Sequence, residues 1–333
     1  MPSEDNSFNP IASTPVPIIH DGDHGGDDLV ASMVALERSD KLNLLGITTC
    51  FGNIPLEVAT KNACRAIDFR PETGVSVYPG SSKPWKSPSR IGDNAFGANG
   101  LGGVELPEPV SNPSDTSAVD WMIDVLSNSD SPVTLCPTGP FTNIAKLLDN
   151  RPDLKPKIER IIGMGGCLSP QPPHGRQGNI TPFAEFNFYM DASAAEFVLN
   201  SGIPVVLFPL DVTHQLVFSK SRQEEALEVL GTGLGEKLIQ IMGAAATIDS
   251  NHFNLGGSVF HDECVILYLL EPELFRGREI NLKVITDPTS ERHGQLRQPL
   301  NSSNSSVLVM DVLLDSDRAF GIILDSLKSL LKK

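Results

Sequence analysis

The chain has no excess of basic residues, no paired cysteine motif and no long apolar run, and each absence excludes something. Lysine and arginine number 26 against 41 aspartate and glutamate, for a formal net charge of -15. The summed field of such a chain repels phosphate backbones and anionic lipid. General nucleic-acid binding and a membrane-surface role are therefore excluded, while a neutral or cationic ligand is allowed. The five cysteines, Cys50, Cys64, Cys136, Cys167 and Cys264, are odd in number and scattered. No C-x-x-C pair occurs among them, which removes the common zinc and thiol-redox motifs. Most lie in apolar runs as small buried residues, a usage that favours a reducing compartment. No segment approaches the roughly 18 apolar residues of a membrane span. Met1 to Thr14 is polar and carries Glu4 and Asp5. Lacking a basic start and an apolar stretch, it does not read as a signal peptide, and a cytoplasmic location is expected.

What is present is an alternation of strands and helices. The 333 residues, 40% hydrophobic and 20% charged, suffice for one large globular α/β domain or two smaller ones. Residues 1–14 read as a loose tail. Strands are predicted at 16–19, 42–49, 74–78, 133–136, 158–164 and 205–209. Helices are predicted at 27–38, 56–68, 115–127 (capped by Asp115 or Thr116), 142–148 and 192–199. Two long Pro- and Gly-rich loops, 79–114 and 169–181, interrupt the pattern. The last third is mostly helical, with 251–261 as a loop, a helix from Asp262 to Leu270, a strand pair of 282–286 with 307–311, and a terminal helix at 316–332. This is the pattern of an open, mainly parallel, doubly wound sheet flanked by helices. Ligands in such sheets sit outside the carboxyl ends of the strands.

One stretch, Ile18-Ile19-His20-Asp21-Gly22-Asp23-His24-Gly25-Gly26-Asp27-Asp28, places four carboxylates within eight residues at the end of the first strand. Like charges this close repel, and a hard cation among them removes the conflict. Asp27 or Asp28 could instead be only the cap of the following helix, where the dipole favours a carboxylate. That does not account for Asp21 and Asp23. A second group, Asn179-Ile180-Thr181-Pro182-Phe183-Ala184-Glu185-Phe186-Asn187, sets a carboxylate and two amides in an apolar stretch. Such groups suit vicinal hydroxyls, as on a sugar, though asparagines also simply form turns. A third, Val259-Phe260-His261-Asp262, opens an apolar helix, with Asp262 as a ligand or only a cap. Thr138 in Pro137-Thr138-Gly139-Pro140 offers a carbonyl at a strand end, or an ordinary turn.

Taken in order, these motifs resemble the inosine–uridine-preferring nucleoside hydrolase family over about residues 16 to 330. The resemblance also includes Gly46-Ile47-Thr48-Thr49-Cys50-Phe51-Gly52-Asn53, Gly163-Met164-Gly165-Gly166 and Asp211-Val212-Thr213-His214. It implies that residues 15–333 form a single nucleoside hydrolase-like domain, assembled as a dimer or tetramer. The activity it implies is hydrolysis of ribonucleosides to ribose and free base, as in nucleoside salvage. The implied cofactor is calcium, held by the side chains of Asp23, Asp28 and Asp262 and the carbonyl of Thr138. By the same resemblance, the ion would hold the ribose hydroxyls and the attacking water, with Asp23 as that water's general base. Asp27, Asn53, Met164, Asn179, Glu185, Phe186 and Asn187 would bind the substrate. Asp21 would support the cluster from behind, and His261 would protonate the departing base near neutral pH.

The chain departs from the family pattern at Phe96, where many members carry histidine, and in the absence of tyrosine from 249–260. Both bear on base preference. Two rival functions remain at this level: a nucleoside- or ribose-binding protein without catalysis, and a metal-dependent phosphatase using the Asp-x-Asp pair.

Overall fold

The computed structural model describes residues 14–89, 96–170, 175–299 and 306–332. All but Thr14 of the expected tail lies outside them, as does 171–174 of the second long loop. The core is an eight-stranded sheet. Its strands are β1 (Val16–Gly22), β2 (Leu42–Thr49), β3 (Val77–Pro79), β4 (Val133–Pro137), β5 (Ile158–Met164), β6 (Val205–Phe208), β7 (Phe275–Asn281) and β8 (Ser306–Leu313). They lie in the order β3-β2-β1-β4-β5-β6-β8-β7. All neighbours are parallel except β8 and β7, which close one edge antiparallel.

Successive residues of β1 explain why the sheet is covered on both faces. Ile18 packs into one hydrophobic cluster and Ile19 into the other, both fully buried. Side chains alternate across a strand, so a run apolar at both positions needs helices above and below. Helix α1 (Gly26–Glu37) lies on the first face with Leu29, Val30, Met33 and Val34 buried. Helix α4 (Thr142–Asn150) lies on the second with Ile144, Leu147 and Leu148 buried. Helices α2 (Leu56–Ile67) and α3 (Ala118–Asn128) complete the first half.

The order of strands decides where a ligand fits. From β1 the chain moves outward through β2 and β3, then returns to place β4 on the other side of β1. The connections therefore diverge between β1 and β4, opening a crevice at the carboxyl ends of those strands. Asp21 is aligned with Thr48 of β2 and with Pro137 of β4, so the acidic stretch and Thr138 both emerge there.

Four sequence expectations need correction. The cap of α3 is Ser117, whose Oγ accepts from Asp120 N–H at 3.2 Å, not Asp115 or Thr116. The third strand begins at Val77 rather than 74. Residues 251–261 are not one loop, because a helix runs through Ala246–Phe253 and Gly257–Val259 pairs with Val217–Ser219. Strand β8 pairs with Phe275–Asn281, while Lys283 and Val284 pair with Arg297 and Leu296. Strand 275–281 escaped notice because Arg276, Arg278 and Glu279 break its apolar run on an edge that faces water.

Candidate active site

After β1 the chain turns through Asp23, His24 and Gly25 into α1. The helix is capped by Gly25, not by an aspartate. Asp28 instead turns back, and its Oδ2 accepts from Gly25 N–H at 3.2 Å. Asp21, Asp23 and Asp28 are each at most 1% exposed, so their charges are sealed from water. Three glycines allow this density. A Cβ on Gly22 would overlap the Asp28 carboxylate, and one on Gly52 would overlap that of Asp23. At Gly139 a Cβ would lie 2.8 Å from Asp23 N and 2.9 Å from Cys50 Sγ. Sequence reasoning missed these glycines. Their signal was a Gly beside an acid, amide or hydroxyl at each of three strand ends.

Burial and mutual repulsion raise the acids' pKa values. Asp28 is pushed up to about 6 and Asp27 to about 7, burial being the main cause in both. Asp23 and Asp262 are raised well above the carboxylate range by burial and by the neighbouring aspartates. Carboxylate oxygens of Asp27, Asp28 and Asp262 lie within 4.8 Å of one another. Carboxylates this close repel unless a proton or a cation lies among them, and an all-oxygen donor set fits a hard divalent ion. Two of the expected ligands, Asp28 and Asp262, belong to this trio. Asp27, expected on the sugar, is its third member. Asp23 lies beside it with Oδ2 accepting from Asn53 N–H. The Thr138 carbonyl accepts from Asn187 Nδ2 at 2.6 Å.

A cleft partly open to solvent lies over this cluster. Asp23, Asp27, Asn53, Thr138, Met164, Asn179, Glu185, Phe186, Asn187, His261 and Asp262 all line it, from stretches far apart in sequence. The polar groups are partly committed to the fold. Glu185 caps the short helix α5 (Phe186–Met190) and accepts from the N–H groups of Gly166 and Asn187 at 2.7 Å and Phe188 at 3.2 Å. Asn179 Oδ1 accepts from Phe186 N–H at 2.9 Å, which leaves its amide hydrogens to donate. Asn187 donates to Thr138 and Met164 carbonyls, which leaves its Oδ1 to accept. Asp21 does not line the cleft. Its Oδ1 accepts from Thr48 Oγ1 at 2.6 Å and Asn143 Nδ2 at 2.7 Å, tying β1 to β2 and α4.

Phe96, Ile180 and Ala245 also line the cleft. His261 Nδ1 lies 2.8 Å from Thr213 Oγ1. Burial lowers its pKa to about 4, so it is neutral at neutral pH. The sequence placed His261 as the group that protonates the departing base, and in the fold it stands buried at the cleft wall beside Thr213. The motif 211–214, quoted without roles from sequence, acquires them here. Asp211 accepts from the backbone of Leu168 and Ser169, Thr213 holds His261, and the His214 ring stands 5.7 Å from that of His261.

The fold thus sets a buried acid cluster beneath a cleft lined by carboxylates, amides, apolar side chains and one histidine. The sequence profile of the inosine-uridine preferring nucleoside hydrolases matches residues 18–319. The chain belongs to that family. As a nucleoside hydrolase it is an enzyme acting on N-glycosyl bonds. It is 38% identical over 261 residues to the pyrimidine-specific ribonucleoside hydrolase RihA of Enterobacter sp. (strain 638), covering 78% of this chain and 80% of that protein. It is 36% identical over 270 residues to an uncharacterized Schizosaccharomyces pombe protein, covering 81% and 84% of the two. The purine-preferring ribonucleoside hydrolase from Gardnerella vaginalis superposes with a TM-score of 0.84 at 29% identity, covering 95% of this chain and 99% of that one. The two named relatives differ in base class. Among the described residues of this hydrolase, no helix is long and apolar enough to cross a membrane.

Proposed function

We propose that this nucleoside hydrolase uses calcium to cleave ribonucleosides into ribose and free base, with water as nucleophile. The observation that carries the reading is the trio Asp27, Asp28 and Asp262 beneath a cleft lined by Asn179, Glu185 and Asn187. Asp23, Asp28, Asp262 and the Thr138 carbonyl would hold the ion, with Asp27 turned to the sugar. Calcium bound there supplies positive charge that makes an adjoining water more acidic and attracts hydroxyl oxygens. Asp23, facing the cleft, takes the proton of the attacking water. Its Oδ2, fixed by Asn53 N–H, leaves Oδ1 for that task. Asn179 donates to a ribose hydroxyl, and Asn187 Oδ1 and Glu185 accept from others. Their dipoles and charges also favour the oxocarbenium-like sugar. His261 acts on the base as a neutral N–H donor from Nε2, with Thr213 donating to Nδ1. A neutral donor suits a leaving group that departs as an anion.

The test is direct. The purified chain, with calcium, is incubated with uridine and with inosine, and free ribose is measured. Release of ribose is expected, and no release from any nucleoside overturns the proposal in favour of a binding protein. The phosphatase rival has less support, because no Lys or Arg among the described residues lines the cleft to grip a phosphate. The five cysteines, all buried and none in a disulfide, are in keeping with the reducing cytoplasm, where nucleoside salvage would place this enzyme.

Two further outcomes follow. His261→Ala should lower turnover of inosine and uridine by about 10²- to 10³-fold, the range for losing one hydrogen-bond donor to charge that develops in the transition state. A riboside with an activated leaving group, such as p-nitrophenyl riboside, should be cleaved nearly as before. Equal losses on both substrates would remove His261 from the leaving-group role. Gly52→Ala should displace the Asp23 carboxylate and cost roughly 10²-fold in kcat, as small misplacements of a reacting group do. Wild-type kcat in that variant would show that Asp23 need not sit where it does.

A further inference from the structure

Behind the acid cluster lies a chain of buried side chains that ends on Thr138 and Asp28, two of the residues proposed to hold the ion. Thr138 Oγ1 lies 2.6 Å from Asp28 Oδ1. His20 Nε2 lies 2.9 Å from the same Thr138 oxygen, and His20 Nδ1 lies 2.8 Å from Ser32 Oγ. Ser32 Oγ in turn lies 3.1 Å from His24 Nε2. His20, His24, Ser32 and Asp28 are fully buried and Thr138 is 1% exposed.

The proton on each atom can be assigned by counting. An ionised Asp28 only accepts, so Thr138 must spend its one hydroxyl proton on it. Thr138 can then only accept from His20, which places a proton on His20 Nε2. An imidazole sealed from water with only hydroxyl partners is neutral, so His20 Nδ1 is bare and accepts from the Ser32 hydroxyl. Ser32, its proton spent, accepts from His24 Nε2–H. The remaining atom, His24 Nδ1, is then an unprotonated acceptor, and it is one of the few buried polar atoms with no hydrogen-bond partner among the described residues. The Gly22 carbonyl favours a proton on the His24 ring and pulls against this order. The reverse order, however, would leave the close His20–Thr138 contact without a hydrogen unless Thr138 abandoned Asp28.

We infer that His20 is a positioning residue for the cation site, acting through Thr138 as the middle of a one-way hydrogen-bond relay from His24 to Asp28. This rests on the reading of Asp28 and the Thr138 carbonyl as ligands. Both would be oriented by one imidazole, since the Thr138 side chain holds Asp28 and its carbonyl faces Asn187. Partners of this kind set ligand orientation and metal affinity.

Two measurements test it. Isotope-edited NMR of the histidine ring nitrogens in the full-length protein, with His20 assigned by its loss in His20→Gln, should show His20 protonated on Nε2 and bare on Nδ1. A proton on Nδ1 overturns the relay. Calcium affinity, read by competition with a fluorescent chelator, should fall about tenfold or more in His20→Leu. His20→Gln keeps an N–H for Thr138 and should recover most of that loss. Wild-type affinity in a folded His20→Leu overturns the inference, and so does a His20→Gln as weak as His20→Leu, which would mean packing alone. Should His20→Leu not fold, Ser32→Ala replaces it. Without the serine, the Thr138–Asp28 end alone still requires the proton on His20 Nε2, so a His20 protonated on Nδ1 in that variant counts against the relay. A wild-type protein that takes up no calcium would refute the cation reading, while the tautomer would still decide the relay.

Discussion

Asp23→Asn abolishes ribose release from every nucleoside while leaving the protein folded. The loss in kcat is expected at about 10³-fold or more, toward the upper range for removal of a general base. The same change should leave thermal stability without calcium equal or higher. Asp23 is buried among Asp27, Asp28 and Asp262, and each neighbour raises the cost of its charge. An amide of the same shape removes that repulsion. It also keeps an oxygen for Asn53 N–H. Activity lost with the melting temperature unchanged or raised is therefore the signature of a functional acid. Ribose release at the wild-type rate would remove Asp23 from the mechanism, and a collapsed melting temperature would make it a structural group instead.

The second large effect is calcium itself. Buried acids with raised pKa values hold protons in the folded chain that the unfolded chain releases. Their contribution to stability is complete below about pH 4, the ordinary carboxylate pKa, and is lost as pH rises through the folded values. Those values are about 6 for Asp28 and about 7 for Asp27, with Asp23 and Asp262 raised as well. The calcium-free protein should therefore lose stability between weakly acidic and weakly alkaline pH. Calcium bound as proposed should replace the protons and reverse the trend. At a thousandfold excess over its dissociation constant a ligand adds about 4 kcal/mol. For a chain of this size that corresponds to roughly 5–10 °C in Tm. The gain should be large near pH 8 and small near pH 5, where protons compete for the same oxygens. A chelator should remove both the gain and the activity. A gain of equal size at the two pH values would mean that calcium binds elsewhere.

Much of this site was legible before any coordinates. Four aspartates in eight residues at a strand end are improbable as decoration, and their order with Thr138, Glu185, Asn187 and His261 pointed to one family. The parallel sheet was legible too, because strands such as 42–49 and 158–164 are apolar on both faces. The edge strand 275–281 was not, since half its residues face water and carry charge. The surroundings of His261 were not legible for a related reason. Its residue type implies a pKa near neutrality, and only the packing around it, which excludes water, brings that to about 4.

The acidic stretch from Asp21 to Asp28 shows where the two sources of knowledge divide. Sequence alone determined that the acids exist, that they follow a strand and precede a helix, and that they repel. These are local properties of neighbouring residues. Tertiary structure decided how they divide their tasks. Asp21 turned away to Thr48 and Asn143, Asp23 was held by Asn53, and Asp28 was joined to Thr138 and set beside Asp262. Each of those partners lies at least 20 residues away along the chain. All but Asp262, which opens the helix at 263–270, meet because β2 and β4 flank β1 and release their ends on the same side of the sheet. A carboxylate's role depends on which donors, charges and waters surround it, and those are set by the fold.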